Sequence, residues 1–391
     1  MALPSFRRID RAAVLACVAL ALVGWSSLLV PSLIRSIEPA FNQTDAGIGV
    51  FFFVNAIAYV SGSMLGGVLT ERIGRRVILP MALVLITAGL AGMAGAPSWS
   101  LFLVAAVPLG LGAGAVDGGT NGLILDLYPS SRGRSLNLLH LCFSIGSLGS
   151  PLVVGRLVEI GVGWQSIVFG TALVAIPLAL LLGLADQPSG RHVHAGPAGS
   201  VRIGLALPLV ALAIAIACYV GSEVGVSHWL VRYLDSASVG LATSALALFW
   251  GGLTIGRLMS AKIGDRFDHA RFAATAALVA GVTLAGAVAA PSLEVSILLF
   301  ALAGVAYGPI YPLIMAVAGD RYPGRSAAVS GFLAGTAVIG AILYPPVMGL
   351  MSVSVGLGAA MAGAAALAGA CALVLALIAR GTFNGPRATA S

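Results

Sequence analysis

The stretch at residues 115–140 reads AVDGGTNGLILDLYPSSRGRSLNLLH, an apolar and glycine-rich run that contains an acid at Asp117 and an amide at Asn121. Polar groups inside such a run are typical of a membrane span with a function. Of the 391 residues in the chain, 59% are hydrophobic and 9% are charged, and the mean hydropathy is +1.02, whereas soluble domains have about 25% charged residues. The composition therefore predicts a polytopic membrane protein.

Twelve apolar segments are long enough to cross a bilayer as helices, which takes about 20 residues each. Because each segment must satisfy its own backbone hydrogen bonds in lipid, we expect α-helices and an all-α fold class. We number the segments spans 1 to 12 and predict them at residues 11–34, 46–70, 77–95, 99–127, 135–158, 164–184, 204–233, 239–263, 271–290, 294–318, 325–351 and 355–379.

The basic residues are distributed unevenly between the loops on the two sides. If both termini are cytoplasmic, 17 of the 21 lysines and arginines fall on the cytoplasmic side, as the positive-inside rule requires. This asymmetry accounts for the formal net charge of +7 without a polyanionic partner, and we expect no nucleic-acid binding. We predict a multi-pass protein of the plasma membrane, or of the inner membrane in a Gram-negative cell, with both termini cytoplasmic.

The two halves of the chain repeat each other at an offset of 194 residues. The matched residues are Gly114 and Gly308, Asp126 and Asp320, Tyr128 and Tyr322, Pro129 and Pro323, Gly146 and Gly340, Pro151 and Pro345, and Gly155 and Gly349. We predict an N-terminal six-helix bundle at 1–186, a cytoplasmic linker at 187–203 and a C-terminal six-helix bundle at 204–391. His192 and His194 in the linker are either a metal- or pH-sensing element or ordinary polar residues.

The loop after span 2 reads GGVLTERIGRR at residues 66–76 and resembles the loop motif of the major facilitator superfamily, with Glu71 where aspartate is usual. A degraded copy, AKIGDRFDHAR, follows span 8. The resemblance covers essentially the whole chain and implies two bundles that rock about a central site. The motif is then a cytoplasmic gate, whose predicted residues are Gly67, Glu71, Arg72, Gly74, Arg75, Arg76, Asp265 and Arg266.

Asp117 is the first candidate for a functional acid, since its distance from the end of span 4 places it near the middle of the bilayer. Burying a charge there costs at least about 2.5–3.5 kcal/mol, so such an acid is paired, protonated or in contact with water. Gly110, Gly114, Asp117 and Asn121 lie on one helix face, which suits a substrate cavity. The alternative is a packing acid held by a neighbouring helix.

Glu223 is the second acid that lies deep in a predicted span, in the opposite half of the chain. A buried carboxyl group that binds and releases a proton is what a proton-coupled carrier needs. Tyr219 and Ser227 share its face of span 7, and Trp229 lies beyond them. The alternative is that Glu223 is close enough to the outer end for water to reach it.

Further polar and aromatic residues are candidates for solute contacts. Asn137 and His140 begin a polar stripe on span 5, although His140 is equally well a gate or a core residue. The other candidates are Asn55 on span 2, Trp250 on span 8, and Tyr307 and Tyr311 on span 10, where Pro309 and Pro312 interrupt the helix. The alternative for Asn55 is a hydrogen bond between helices, and the alternative for Trp250 is packing. For Arg257 on span 8 we expect a cytoplasmic ion pair or gate rather than a ligand contact.

Spans 4, 5 and 7 together resemble the fucose-type sugar symporter branch of the superfamily, on VDGGTN, SLNLLHLCFSIGSLGSP and the segment at 223–229. The resemblance implies that Asp117 couples the proton. It also implies a role in sugar recognition for Asn121, Asn137, Glu223 and Trp229.

The leading hypothesis is a monomeric, proton-coupled symporter that imports a small polar solute of the sugar class by alternating access. Its partners are that solute and the lipid bilayer, and it needs no cofactor or metal beyond the coupling ion, H⁺ or alternatively Na⁺. The runner-up is a proton-driven antiporter that exports hydrophobic compounds, which residues 146–155 (GSLGSPLVVG) favour by resembling the antiporter motif of span 5. A non-transporting receptor is a weaker third interpretation. No nucleophile and base set, metal cluster or phosphate loop supports an enzyme.

Overall fold

The computed structural model describes residues 11–185, 187, 207–322 and 326–382. The regular structure in these ranges is α-helical apart from one short 3-10 turn, Gly264–Arg266. Twelve helical stretches there are long and apolar enough to cross a membrane. The predicted all-α, twelve-span fold is therefore confirmed.

The spans follow the predicted ranges closely. The first six are Arg11–Ser27 with Leu29–Ala40, Asp45–Ile73, Arg75–Ala94, Trp99–Leu127, Arg132–Glu159 and Trp164–Leu184. The last six are Leu207–Tyr233, Val239–Ile263, His269–Val288, Leu293–Tyr307 with Ile310–Arg321, Ser326–Val355 and Leu357–Ala379. The largest difference is in span 1, which continues through two charged residues to Ala40 instead of ending at residue 34.

Two spans are broken, and proline accounts for both breaks. Span 10 stops at Tyr307 and resumes at Ile310, as predicted from Pro309, because proline has no N–H to continue the helical hydrogen bonds. The sequence reasoning missed the break in span 1 at Leu28. There Pro31 cannot donate to the Ser27 carbonyl, so the hydrogen-bond ladder is interrupted at that turn.

The structure repeats its helix starts and its closest helix contacts at the offset of 194 residues. Ser98 and Ser292 are the N-caps of spans 4 and 10, where a serine side chain accepts from the first free N–H groups. A Cβ at Gly114 would lie 1.9 Å from the Tyr59 carbonyl oxygen, and one at Gly308 would lie 2.4 Å from that of Leu253. Glycine thus brings span 4 against span 2, and span 10 against span 8, backbone to backbone.

The contacts divide the chain into two units. Unit 1 comprises residues 1–41 and 54–196, and unit 2 comprises residues 42–53 and 197–391. In unit 1, spans 3 and 4, 3 and 6, and 1 and 5 pack together; in unit 2 the same pairings recur six spans later. Span 2 is therefore shared, since its first part groups with unit 2 and the rest with unit 1.

The predicted linker at 187–203, with His192 and His194, lies outside the described residues except for Gln187. The same is true of the two ends of the chain. The domain limits at 186 and 204, and the cytoplasmic placement of the termini, therefore stay predictions.

Candidate functional site

Asp117 is at the centre of a hydrogen-bond network in unit 1. Its Oδ2 accepts from the Tyr59 hydroxyl at 2.9 Å, and its Oδ1 accepts from the Asn121 amide at 3.0 Å. The Asn121 amide also donates to the Asp117 main-chain carbonyl at 2.9 Å. Both carboxylate oxygens thus have a donor, one from span 2 and one from the next turn of span 4.

The donors to Asp117 are neutral. Among the described residues, no lysine, arginine or histidine forms an ion pair or hydrogen bond with this carboxylate. Neutral donors offset only part of the cost of a charge inside a span, since a hydrogen bond to a charged group contributes about 1.5–3 kcal/mol. In the described part of the structure, the contacts of this carboxylate are thus hydrogen bonds from neutral groups and not ion pairs.

The glycines on the Asp117 face bring Tyr59 within reach. A Cβ at Gly110 would lie 2.6 Å from the Asn55 carbonyl oxygen, so this turn of span 4 also touches the span 2 backbone. The Asn55 amide donates to the Ala106 carbonyl at 3.2 Å. Asn55 is thus engaged in holding the two helices together. The sequence analysis placed Gly110 and Gly114 at a cavity. In the structure they instead pack against the backbone of span 2.

Glu223 is the buried acid of unit 2, and its residue is 7% exposed. Its Oε2 has no hydrogen-bond partner among the described residues. The Arg257 charge and the Tyr219 hydroxyl both act on its carboxylate. Glu223 therefore differs from Asp117 in having a cation from a neighbouring span within electrostatic reach.

Aromatic residues surround this acid. The Tyr219 ring lies 6.0 Å from the Tyr307 ring and 6.5 Å from the Tyr311 ring, measured between centroids. Tyr219 and Tyr307 are buried, and the Tyr307 hydroxyl is hydrogen-bonded to Ser222 at 2.5 Å. The structure thus brings together three predicted contact residues, Tyr219, Tyr307 and Tyr311, beside Glu223.

Arg257 has a different environment from the one expected of a cytoplasmic gate. The Tyr219 hydroxyl and the Glu223 carboxylate both lie within the electrostatic range of its guanidinium. Residue spacing along span 8 predicts the helix face on which Arg257 lies. It does not predict the direction of the long side chain, which depends on neighbouring groups. The structure therefore adds Arg257 to the candidate site of unit 2.

The two candidate tryptophans are buried in unit 2. Trp229 is fully buried, and its Nε1 donates to the Pro345 carbonyl at 2.9 Å. Its ring meets the Phe52 ring edge-on at 5.6 Å. Trp250 is also buried, on span 8. The Trp229 contacts are those of a packing residue.

The polar stripe on span 5 has an exposed part and a buried part. Asn137 and His140 are exposed, whereas Ser144 and Ser147 are buried, and Ser147 donates to the Gly24 carbonyl at 3.2 Å. The buried part of the stripe thus bonds to span 1 and to its own helix. The donors to the Asp117 carboxylate come from spans 2 and 4, so the structure does not bring the start of this stripe into that network.

Arg75 organises the loop motif after span 2. It is buried and pairs with Asp126 at the end of span 4 at 2.5 Å. Gly74 precedes it with φ of 97°, a conformation that favours glycine. Arg76 donates to the Gly183 carbonyl at 3.2 Å. The motif therefore ties the start of span 3 to spans 4 and 6.

The remaining predicted gate residues that the structure describes lie at the surface. Arg72 and Arg266 are exposed, and Gly67 faces open space. The side chains of Glu71 and Asp265 lie outside the described part of the structure.

Two ionic contacts were missed by the sequence analysis. His269 Nδ1 lies 2.8 Å from the Asp320 carboxylate, and the offset of 194 residues would have found it, since it maps Arg75 to His269 and Asp126 to Asp320. In unit 2, Asp45 in the first turn of span 2 accepts from Arg232 at 3.0 Å and from the Ser352 hydroxyl. No spacing in the sequence connects these three residues.

The comparison with protein families decides the classification. The profile of the Major Facilitator Superfamily matches residues 14–263 and 199–389. The chain belongs to the major facilitator superfamily. Its fold and its relatives are those of transporters, not of enzymes.

Two curated relatives are named for the solutes that they transport, glucose and gentisate. The sodium-dependent glucose transporter 1A of Mus musculus is 28% identical over 131 residues, which cover 34% of this chain and 31% of that protein. The gentisate transporter of Corynebacterium glutamicum is 25% identical over 365 residues, 85% of this chain and 81% of that protein. The chain thus spans about a third of the first relative and most of the second.

Solved superfamily structures share the fold. A bacterial homologue of the human lysosomal transporter Spinster, inward-facing and occupied, has a TM-score of 0.81 at 17% identity and covers 94% of this chain and 96% of that chain. A D-xylose–proton symporter has 0.78 at 16%, with coverages of 93% and 96%. The Escherichia coli fucose–proton symporter has 0.63 at 20%, with coverages of 93% and 98%. At these identities the likeness concerns the fold alone.

Proposed function

We propose that the protein is a proton-coupled symporter of a small polar solute of the sugar class, working by alternating access. The observation that carries this proposal is Asp117, a carboxyl group inside span 4 whose donors, Tyr59 and Asn121, are neutral. Such a group takes up and releases a proton without an ion pair to break. Glu223 is the corresponding acid of unit 2, and its unpartnered oxygen leaves room for a proton or a solute hydroxyl.

Several of the similar proteins are named for a sugar, and two of them also for a proton. A glucose transporter, a xylose–proton symporter and a fucose–proton symporter are among the similar proteins. Asn121 and the tyrosines near Glu223 offer amide and hydroxyl groups for solute hydroxyls, and aromatic rings pack against sugar faces. H⁺ is the proposed coupling ion. Na⁺ is the alternative, since carboxylates also coordinate it and the mouse relative is sodium-dependent by name.

The cellular arrangement follows from the same proposal. The protein is a multi-pass membrane protein. We propose a monomeric importer in the plasma membrane, with both termini cytoplasmic. The charge asymmetry of the loops supports this orientation of the termini.

The test is uptake of labelled hexoses, 6-deoxyhexoses and pentoses by proteoliposomes, with an inward proton gradient, with an inward sodium gradient and with none. The proposal requires accumulation of at least one sugar that the proton gradient alone drives. If no sugar enters under any gradient, while addition of lipophilic cations releases protons in an Asp117-dependent way, the antiporter hypothesis replaces it.

A further inference from the structure

Arg257 is a cation inside unit 2, next to an acid and a phenol. Its main-chain nitrogen lies 2.6 Å from the position that a Cβ on Gly308 would take, beside Tyr307, and its charge acts on Glu223 and on Tyr219. Arginine is costly inside a span and is there almost always for a reason connected with charge. A purely structural arginine needs a carboxylate that it pairs with fully, and this carboxylate has a free oxygen.

The free oxygen is the second observation. Glu223 is 7% exposed, yet its Oε2 has no hydrogen-bond partner among the described residues. A buried charged oxygen without a hydrogen-bond donor destabilises the folded protein. Binding of a proton therefore stabilises the buried Glu223 side chain. The same proton removes the negative charge that balances Arg257.

The other groups around the acid do not replace that charge. Tyr219 is on the same span, and Tyr307 faces the acid from span 10. Tyr344 and Cys371, from spans 11 and 12, lie beside Tyr307. All four are neutral side chains at physiological pH. Once Glu223 is protonated, Arg257 is the only charge in this described cluster.

We propose that Arg257 binds a carboxylate of the transported solute, so that the solute is a hydroxylated organic anion such as a sugar acid. The inference rests on the proposed function and deepens it by naming the solute class. Arginine presents paired donors that match a carboxylate. The proton on Glu223 and the anion on Arg257 enter together because each restores the charge balance that the other disturbs.

Arg257 and Tyr311 form the accessible side of this cluster. Arg257 and Tyr311 are partly exposed, whereas Tyr219 and Tyr307 are buried. The carboxylate would meet the guanidinium at this side, with the Tyr219 ring and the Tyr311 ring next to it. Specificity then comes from the Arg257 cation, since a solute without a negative charge leaves it unpaired.

The experiment compares labelled D-glucuronate with D-glucose, which differ only at C6, in proteoliposomes with an inward proton gradient. The variants are Arg257→Gln and Arg257→Lys, with Arg156→Gln as the control, because Arg156 is a 74% exposed arginine that pairs with Glu159 in its own span. We expect Arg257→Gln to lower the ratio of glucuronate to glucose uptake by roughly tenfold or more. Arg257→Lys should have an intermediate ratio, and Arg156→Gln the wild-type ratio.

Arg257→Gln leaves Glu223 without its cation and is at risk of misfolding. The double variant Glu223→Gln/Arg257→Gln removes both charges, so the net charge of the cluster does not change. We expect it to lose the preference for glucuronate while glucose still competes for binding. A wild-type preference for glucuronate in this variant, or in Arg257→Gln, overturns the inference.

The outcomes for the wild type separate the two proposals. If glucose enters under the proton gradient, and glucuronate neither enters nor competes, the anion inference fails and the proposed function stands. If neither compound nor any sugar of the wider panel enters, both fail.

Discussion

The Arg75 guanidinium lies 2.5 Å from the Asp126 carboxylate and joins the start of span 3 to the end of span 4. The residues 194 positions later, His269 and Asp320, make the same contact at 2.8 Å between spans 9 and 10. The duplication has thus kept a side-chain contact to a carboxylate between equivalent helices, while the partner of the carboxylate changed from an arginine to a histidine. The two copies differ in burial, since Arg75 is 9% exposed as a side chain and His269 is 24% exposed.

This difference predicts unequal effects of removing each acid. Asp126→Asn leaves a buried guanidinium without its partner, which we expect to lower the free energy of unfolding by about 1–3 kcal/mol. Asp320→Asn removes a carboxylate that is 67% exposed, and the expected loss is below about 1 kcal/mol. Thermal unfolding of the purified variants in detergent measures both. Equal losses would show that burial does not distinguish the pairs.

The close approach of spans 2 and 4 predicts that Gly114 tolerates no side chain. In Gly114→Ala the new Cβ would overlap the Tyr59 carbonyl oxygen, so we expect a loss of about 1–3 kcal/mol or more and a lower yield of folded protein. Gly170→Ala is the control, since Gly170 is in span 6 and a Cβ added there would meet nothing within 4 Å. Thermal unfolding that ranks Gly170→Ala as the more damaging change would refute the packing argument.

The Tyr59 hydroxyl supplies one of the two donors to Asp117. Tyr59→Phe keeps the ring and removes the hydrogen bond to Asp117. A hydrogen bond to a charged group contributes about 1.5–3 kcal/mol. We expect gradient-driven uptake to fall by roughly tenfold while the protein stays folded. Tyr233→Phe is the matched control, since it removes a hydroxyl that donates to the Val288 carbonyl, away from both acids. Uptake that falls equally in both variants would argue against a role for the Asp117 network.

Asp45 and Asp235 both pair with Arg232, which makes them a natural comparison. Asp45 is buried and also accepts from Ser352, whereas Asp235 is 68% exposed and lies 3.6 Å from the guanidinium. We expect Asp45→Asn to lower the stability of unit 2 by about 1–3 kcal/mol and Asp235→Asn by less than about 1 kcal/mol. Limited proteolysis and thermal unfolding report the difference, and a larger effect of Asp235→Asn would contradict it.

The sequence predicts the spans well because hydrophobic length is a local property. Asp117 and Asn121 were placed on one face for a similar reason, since four residues make about one helical turn. Their contact in the structure needs only that turn, whereas the Tyr59 contact needs the neighbouring helix. The glycines that bring this helix close were visible in the sequence, but their interpretation as a cavity face was not the role that the structure gives them.

Contacts between distant residues were harder to predict. Arg257 was assigned to a gate because its position along span 8 is nearer to the predicted cytoplasmic end, yet its charge acts on Tyr219 and Glu223. Asp45, Arg232 and Ser352 come from three different spans, and helix periodicity carries no information about which spans adjoin. The repeat predicts the pair His269 and Asp320 once the pair Arg75 and Asp126 is known from the structure.

The most direct test of the central claim is the Asp117→Asn variant in proteoliposomes, assayed both for uptake driven by a proton gradient and for counterflow exchange without one. Asparagine keeps the shape and the hydrogen-bonding capacity toward Tyr59 but cannot bind a proton. We predict that gradient-driven accumulation of the sugar is lost while counterflow exchange persists. Accumulation that survives in Asp117→Asn would contradict the assignment of Asp117 as the coupling acid.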